Sequence, residues 1–135
     1  MGYSLTVFAV FAILFSGTGC ARRDNPLKDA LPVQIQLEWV LRETRTEPNE
    51  QAPDPIRNSG LKRWANATYR ARGTINVRVF QMNAEASAFE MLQKWRKTDG
   101  LVFYKGPYFV VVDSSDVNRQ MLAEFTQELQ AQFKT

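Results

Sequence analysis

Leu101-Val102-Phe103-Tyr104-Lys105-Gly106-Pro107-Tyr108-Phe109-Val110-Val111-Val112-Asp113 is the stretch from which this chain is best read. Two apolar runs rich in β-branched and aromatic residues flank Lys105-Gly106-Pro107. Glycine tolerates positive φ, and proline fixes φ and cannot continue a central ladder, so the middle is a turn between two strands. The second run, Tyr108 to Val112, has no polar interruption. A strand of that kind is covered on both faces or nearly so.

The segments on either side supply cover. From Asn83 to Lys97 the spacing predicts a helix with an apolar stripe of Ala88, Met91, Leu92 and Trp95, and Phe89 beside it. Asn83 is placed to cap it. Glu85 and Glu90 lie toward its start, and Lys94, Arg96 and Lys97 lie in its last turn, the order the macrodipole favours. Asp99-Gly100 stops it. After the hairpin, Ser114-Ser115-Asp116 offers capping chemistry for a second helix reaching about Phe133, with the stripe Val117, Met121, Leu122, Phe125, Leu129 and Phe133.

Upstream, Lys62 to Arg72 alternates. Ala65, Ala67, Tyr69 and Ala71 share one face, and Lys62, Trp64, Asn66, Thr68, Arg70 and Arg72 share the other. Gly73-Thr74 turns the chain into Ile75, Val77 and Val79, which alternate with Asn76 and Arg78, a hairpin pattern. Earlier still, Val33, Ile35, Leu37, Trp39 and Leu41 predict one half-buried strand; a helix through Leu37, Val40, Leu41 and Thr44 is the alternative. Thr46 to Gly60, with Pro48, Pro53 and Pro55, reads as the longest and most mobile connector. The order is β-β-β-α-β-β-α. The expected fold class is α+β: a two-layer sandwich with an antiparallel sheet of about five strands, both helices on one face and the other face open.

Composition narrows the chemistry. The chain has 135 residues, no histidine and one cysteine, Cys20. An internal disulfide, a Cys/His zinc site and every triad built on histidine are thereby excluded. No Gly-rich phosphate loop or nucleophile motif is present, so no cofactor is expected and catalysis is not. Carboxylates remain, Asp99, Asp113, Asp116 and Glu124, of which Asp113 and Asp116 stand at a strand-to-helix boundary where acids ordinarily cap. A carboxylate-dependent envelope hydrolase is the alternative, and it needs two acids facing each other across a cleft.

Leu5 to Phe15 is an uncharged apolar run, followed by Ser16-Gly17-Thr18-Gly19 and then Cys20. This pattern resembles a bacterial lipoprotein signal, whose lipobox ends in cysteine. The resemblance covers Leu5 to Cys20 alone. It implies removal of residues 1–19 as a signal peptide and acylation of Cys20, hence a membrane anchor in the cell envelope. With Ala21 following, it implies the outer membrane in a Gram-negative cell. Arg22, Arg23 and Lys28 come after the apolar run, so a single-pass inner-membrane anchor is the alternative. Residues 20–32 then read as a tether, and residues 33–135 as a single domain.

One charge feature stands out. Between Asp54 and Glu85 there is no acid, while Arg57, Lys62, Arg63, Arg70, Arg72 and Arg78 all fall there. If the strands form, Arg70, Arg72 and Arg78 project from the open face, with Lys62 and Trp64 in the same alternation. Such a face meets an anionic partner: an envelope glycan, a lipid headgroup or an acidic protein surface. Basic residues interleaved with aromatics also fit a nucleic acid, which an exported address disfavours. The expected function is a membrane-tethered binding or accessory module.

Overall fold

A computed structural model describes residues 26–96 and 100–135. Residues 1–25, with the signal-like run and Cys20, lie outside the described residues, as do Lys97 and Asp99. The strands are β1 (Gln34–Ile35), β2 (Trp39–Glu47), β3 (Leu61–Arg70), β4 (Thr74–Met82), β5 (Leu101–Lys105) and β6 (Tyr108–Asp113). The helices are α1 (Pro26–Ala30), α2 (Asp54–Arg57), α3 (Glu85–Lys94) and α4 (Arg119–Gln132). All strand pairs are antiparallel, in the spatial order β1-β2-β3-β4-β6-β5, and the sheet curls into a half-barrel. The α+β class with an antiparallel sheet is therefore right. The sheet has six described strands, not five.

The hairpin read from Leu101 to Asp113 is present, with Lys105 opposite Tyr108. Gly106, at φ 55°, takes the first turn position, which a side chain would strain. The long alternation of Val33 to Leu41 is not one strand. The chain reverses at Gln36-Leu37, so that Ile35 pairs with Trp39, and β2 then runs on to Glu47. A period of two continues across a tight turn as easily as along a strand, which is why the sequence reads through it.

Two cores lie on opposite faces of the sheet. On the first face, Ala65, Ala67, Tyr69, Ile75, Val77, Val79, Val110 and Val112 pack under Leu122, Phe125 and Leu129 of α4 and Leu27 and Ala30 of α1. The Phe125 ring meets Trp39 and Tyr69 edge-on, with centroids 5.7 and 5.1 Å apart. On the second face, Trp64, Phe80, Met82, Phe109 and Val111 pack under Ala88 and Met91 of α3, with Ala52 and Ile56 joining them. The expectation that both helices cover one face is thus corrected. Every residue of Tyr108–Val112 is buried, and burying both sides of one strand takes cover on both sides.

Three further expectations change. Residues 26–32 are not tether: Leu27, Ala30 and Leu31 are core, and the buried Tyr69 hydroxyl donates to Pro32 O at 2.6 Å, fastening this segment to β3. Burial pushes the Tyr69 phenol above its ordinary range, which keeps it a donor. The Thr46–Gly60 connector carries α2 and lays Ala52 and Ile56 over Trp64, so it is a lid and not slack chain. The caps also move. Asn118, not Ser114 to Asp116, caps α4, its Oδ1 accepting from Met121 N–H at 2.8 Å. Ala84 precedes α3 without a side-chain cap, and Asn83 N–H donates to Gly60 O.

Candidate ligand face

Cover on the second face stops halfway. Strand register sorts its outward side chains into rows. One row is Glu47, Trp64, Phe80 and Phe109; the next is Arg45, Asn66, Arg78 and Val111; the next is Glu43, Thr68, Asn76 and Asp113. In the first row, Trp64, Phe80 and Phe109 are roofed by α3 and the α2 segment, and Glu47 stands at its outer end. Beyond it the β2–β3–β4 part of the face is polar and open, with Arg70 further out, opposite Thr74.

The five residues expected to form an anionic-ligand face separate on this frame. Arg70 and Arg78 lie on the open half. Arg70 shares a shallow basin with Arg42, Glu43 and Thr68. Arg78 is three-quarters buried; its guanidinium lies 5.9 Å from the Trp95 ring centre and 3.5 Å from Asp113 Oδ2. Arg72 stands in the β3–β4 turn, where its Nε donates to Glu38 at 2.5 Å. Lys62 sits at the irregularity between Leu61 and Arg63 and is exposed away from the ladder rows. Trp64 is core. Its ring stacks on Phe80 at 5.2 Å and its indole N–H donates to Pro48 O at 2.9 Å, so no ligand can use it as a platform.

The acid-free window of the sequence is not acid-free in space. Antiparallel neighbours bring Glu43 and Glu47 from β2 and Asp113 from β6 onto the face that carries Arg70 and Arg78. Arg42 and Arg45 come with them. Four arginines therefore stand among three carboxylates, a mixed field and not a basic stripe. From sequence, Asp113 reads as a capping acid and Trp95 as a helix-stripe residue, and neither they nor Asn76 and the β2 residues are assigned to this face. Their signal was the alternation of Glu43, Arg45 and Glu47 with Thr44 and Thr46, hidden because the strand was ended near Leu41.

At one end of the face, the Ser114–Asp116 turn is tied to β4. Ser114 Oγ donates to Thr74 O at 2.6 Å, and Asp116 Oδ1 accepts from Thr74 N–H at 2.9 Å. That backbone donor, then the Ser114 hydroxyl, holds the Asp116 carboxyl below its usual value of 3.8. A depressed carboxylate contributes stability above its unfolded pKa and loses it as pH falls through the folded one. Asp116→Asn should therefore lower the melting temperature at neutral pH, and the gap to the native protein should shrink in acid. Thermal melts across that range check this; a gap independent of pH would rule out the charged contact as its source.

No family model, curated protein or solved structure matches the chain.

Proposed function

We propose that the protein is a lipid-anchored binding module of the bacterial cell envelope, held by Cys20, that takes a carboxylate-bearing envelope glycan on the open half-face. The observation that carries this reading is the abrupt end of helical cover between the Trp64–Phe80–Phe109 row and the polar rows beside it. A regular ladder holds Arg70, Arg78, Asn66, Thr68 and Asn76 in fixed register. Guanidinium groups suit carboxylates, and amide and hydroxyl side chains suit sugar hydroxyls. The flat, open form suits an extended polymer.

The same face argues against a nucleic acid, because a backbone charged at every nucleotide needs a continuous basic track, which Glu43, Glu47 and Asp113 interrupt. It also gives a hydrolase little to work with. Asp113 is engaged by Arg78 and Asp116 by the Thr74 amide. Among the described residues, no helix is long and apolar enough to cross a membrane.

The test has two parts. Intact mass of the protein extracted from membranes should show a chain beginning at an acylated Cys20. Calorimetric titration with solubilised peptidoglycan fragments, which carry both carboxylates and sugar hydroxyls, should give saturable binding. Arg70→Gln combined with Arg78→Met should weaken it by about tenfold or more, the scale of one lost charge-assisted hydrogen bond. Absence of binding by the native protein, or equal binding by the double variant, rejects the half-face as the ligand site.

A further inference from the structure

The β1–β2 hairpin turns through Gln36 and Leu37, at φ 57° and 59°. Glu38 N–H donates back to Ile35 O at 3.3 Å across them. Positive φ at both central positions is the type I′ pattern, which favours Asn-Gly, and it is strained for glutamine and for leucine. Nothing in the packing compensates: Leu37 is 91% exposed, and the nearby Val33 is 75% exposed. An exposed leucine alone means little. A leucine that is both strained and hydrated, where glycine would be neither, marks a side chain held out for a contact.

The position of this tip points to its occupant. Leu37 and Val33 border adjoining shallow surfaces that share Gln34 and Gln132, and the Val33 surface continues to Lys28 of α1. The chain thus enters the domain beside the exposed pair. Cys20 stands six residues before Pro26, and six residues span at most about 20 Å. An acyl group on Cys20 would hold this end of the molecule within that distance of the bilayer.

We propose that the Gln36-Leu37 turn is a membrane-contacting tip, with Leu37 entering the interfacial layer and Val33 following it, so that the tethered domain takes one orientation on the lipid surface. The inference rests on the acyl-anchor reading. Tethering raises the local concentration of bilayer seen by the tip, so two aliphatic side chains suffice where a free protein would need a larger patch. Asp29 and Glu128 border the same surfaces, and Lys28 and Lys134 offset them, so the rim carries no net charge. The contact is therefore led by apolar burial and not by attraction to anionic lipid.

The test uses the full acylated protein in phosphatidylethanolamine–phosphatidylglycerol vesicles. Acylation blocks the native thiol, so Leu37→Cys and, as a control on α3, Gln93→Cys can each carry one environment-sensitive fluorophore. The expected result is blue-shifted emission at position 37 that brominated lipids quench, with neither effect at position 93. Emission at 37 that matches 93 while the protein still pellets with the vesicles overturns the tip. Intact mass of the same sample reports separately on the anchor: an unacylated Cys20 overturns the lipoprotein reading and the tip with it. A second variant, Gln36→Asn with Leu37→Gly, should raise the melting temperature by a few degrees. A fall would mean that the leucine is required by the fold and would overturn the argument from strain.

Discussion

Phe125→Ala should cost the domain about 4 kcal/mol and lower its melting temperature by about 15 °C or more. Phe125 has no exposed surface, and its ring reaches from α4 to Trp39 of β2 and Tyr69 of β3. Its ring touches Trp39 and Tyr69 edge-on, so truncation removes two aromatic pairs as well as buried area. Leu122 and Leu129, one helical turn to either side, are already buried and cannot swing in to fill the space. Against a total stability of roughly 5–15 kcal/mol, that loss brings the protein near unfolding at growth temperature. Phe89→Ala is the matched control. Phe89 is 43% exposed on α3, beside Tyr104, and its loss should stay within about 1 kcal/mol. Thermal and urea denaturation of both variants decides the matter. A Phe125→Ala loss no larger than the control would mean that α4 does not carry the first core.

The stretch from Leu101 to Asp113 held more of the architecture than its strand count used. An unbroken apolar β6 already required two covered faces, which is incompatible with two helices on one side. The limit of that cover was also written in the chain. In β4 the outward phase runs Asn76, Arg78, Phe80, Met82, and in β3 it runs Trp64, Asn66, Thr68, Arg70. Each switches between polar and apolar at one point, and antiparallel pairing sets the two switch points side by side. A two-state reading, inside or outside, averages over such a switch. What could not be read was what the ladder brings together from afar. Glu43, Glu47 and Asp113 join the arginines only through register, and no local window of sequence contains that information. The turn at Gln36-Leu37 escaped for a different reason: its residues are the wrong ones for the conformation they adopt.

Phe109→Asp and Thr68→Asp test where cover on the second face ends, because both side chains point from the same side of one sheet. Phe109 has no exposed surface; it lies 6.2 Å from the Phe80 ring and 5.5 Å from that of Trp95, beneath α3. A carboxylate there loses the aromatic burial and is also stripped of water among groups that cannot pair with it, which costs several kcal/mol on its own. The sum exceeds about 5 kcal/mol, and no folded protein should be recovered. Thr68 stands two rows away in the basin of Arg42, Glu43 and Arg70. A carboxylate there keeps its water and gains two arginine neighbours that offset Glu43 directly across the ladder, so stability should change by less than about 1 kcal/mol. A sheet with helices on one face alone would tolerate aspartate at both positions, and cover across the whole face would tolerate it at neither. The combination expected here, loss at 109 with tolerance at 68, belongs only to a sheet half roofed on this side. If Thr68→Asp folds normally yet loses glycan binding, a single substitution will separate the part of the face that holds the domain together from the part left open for a ligand.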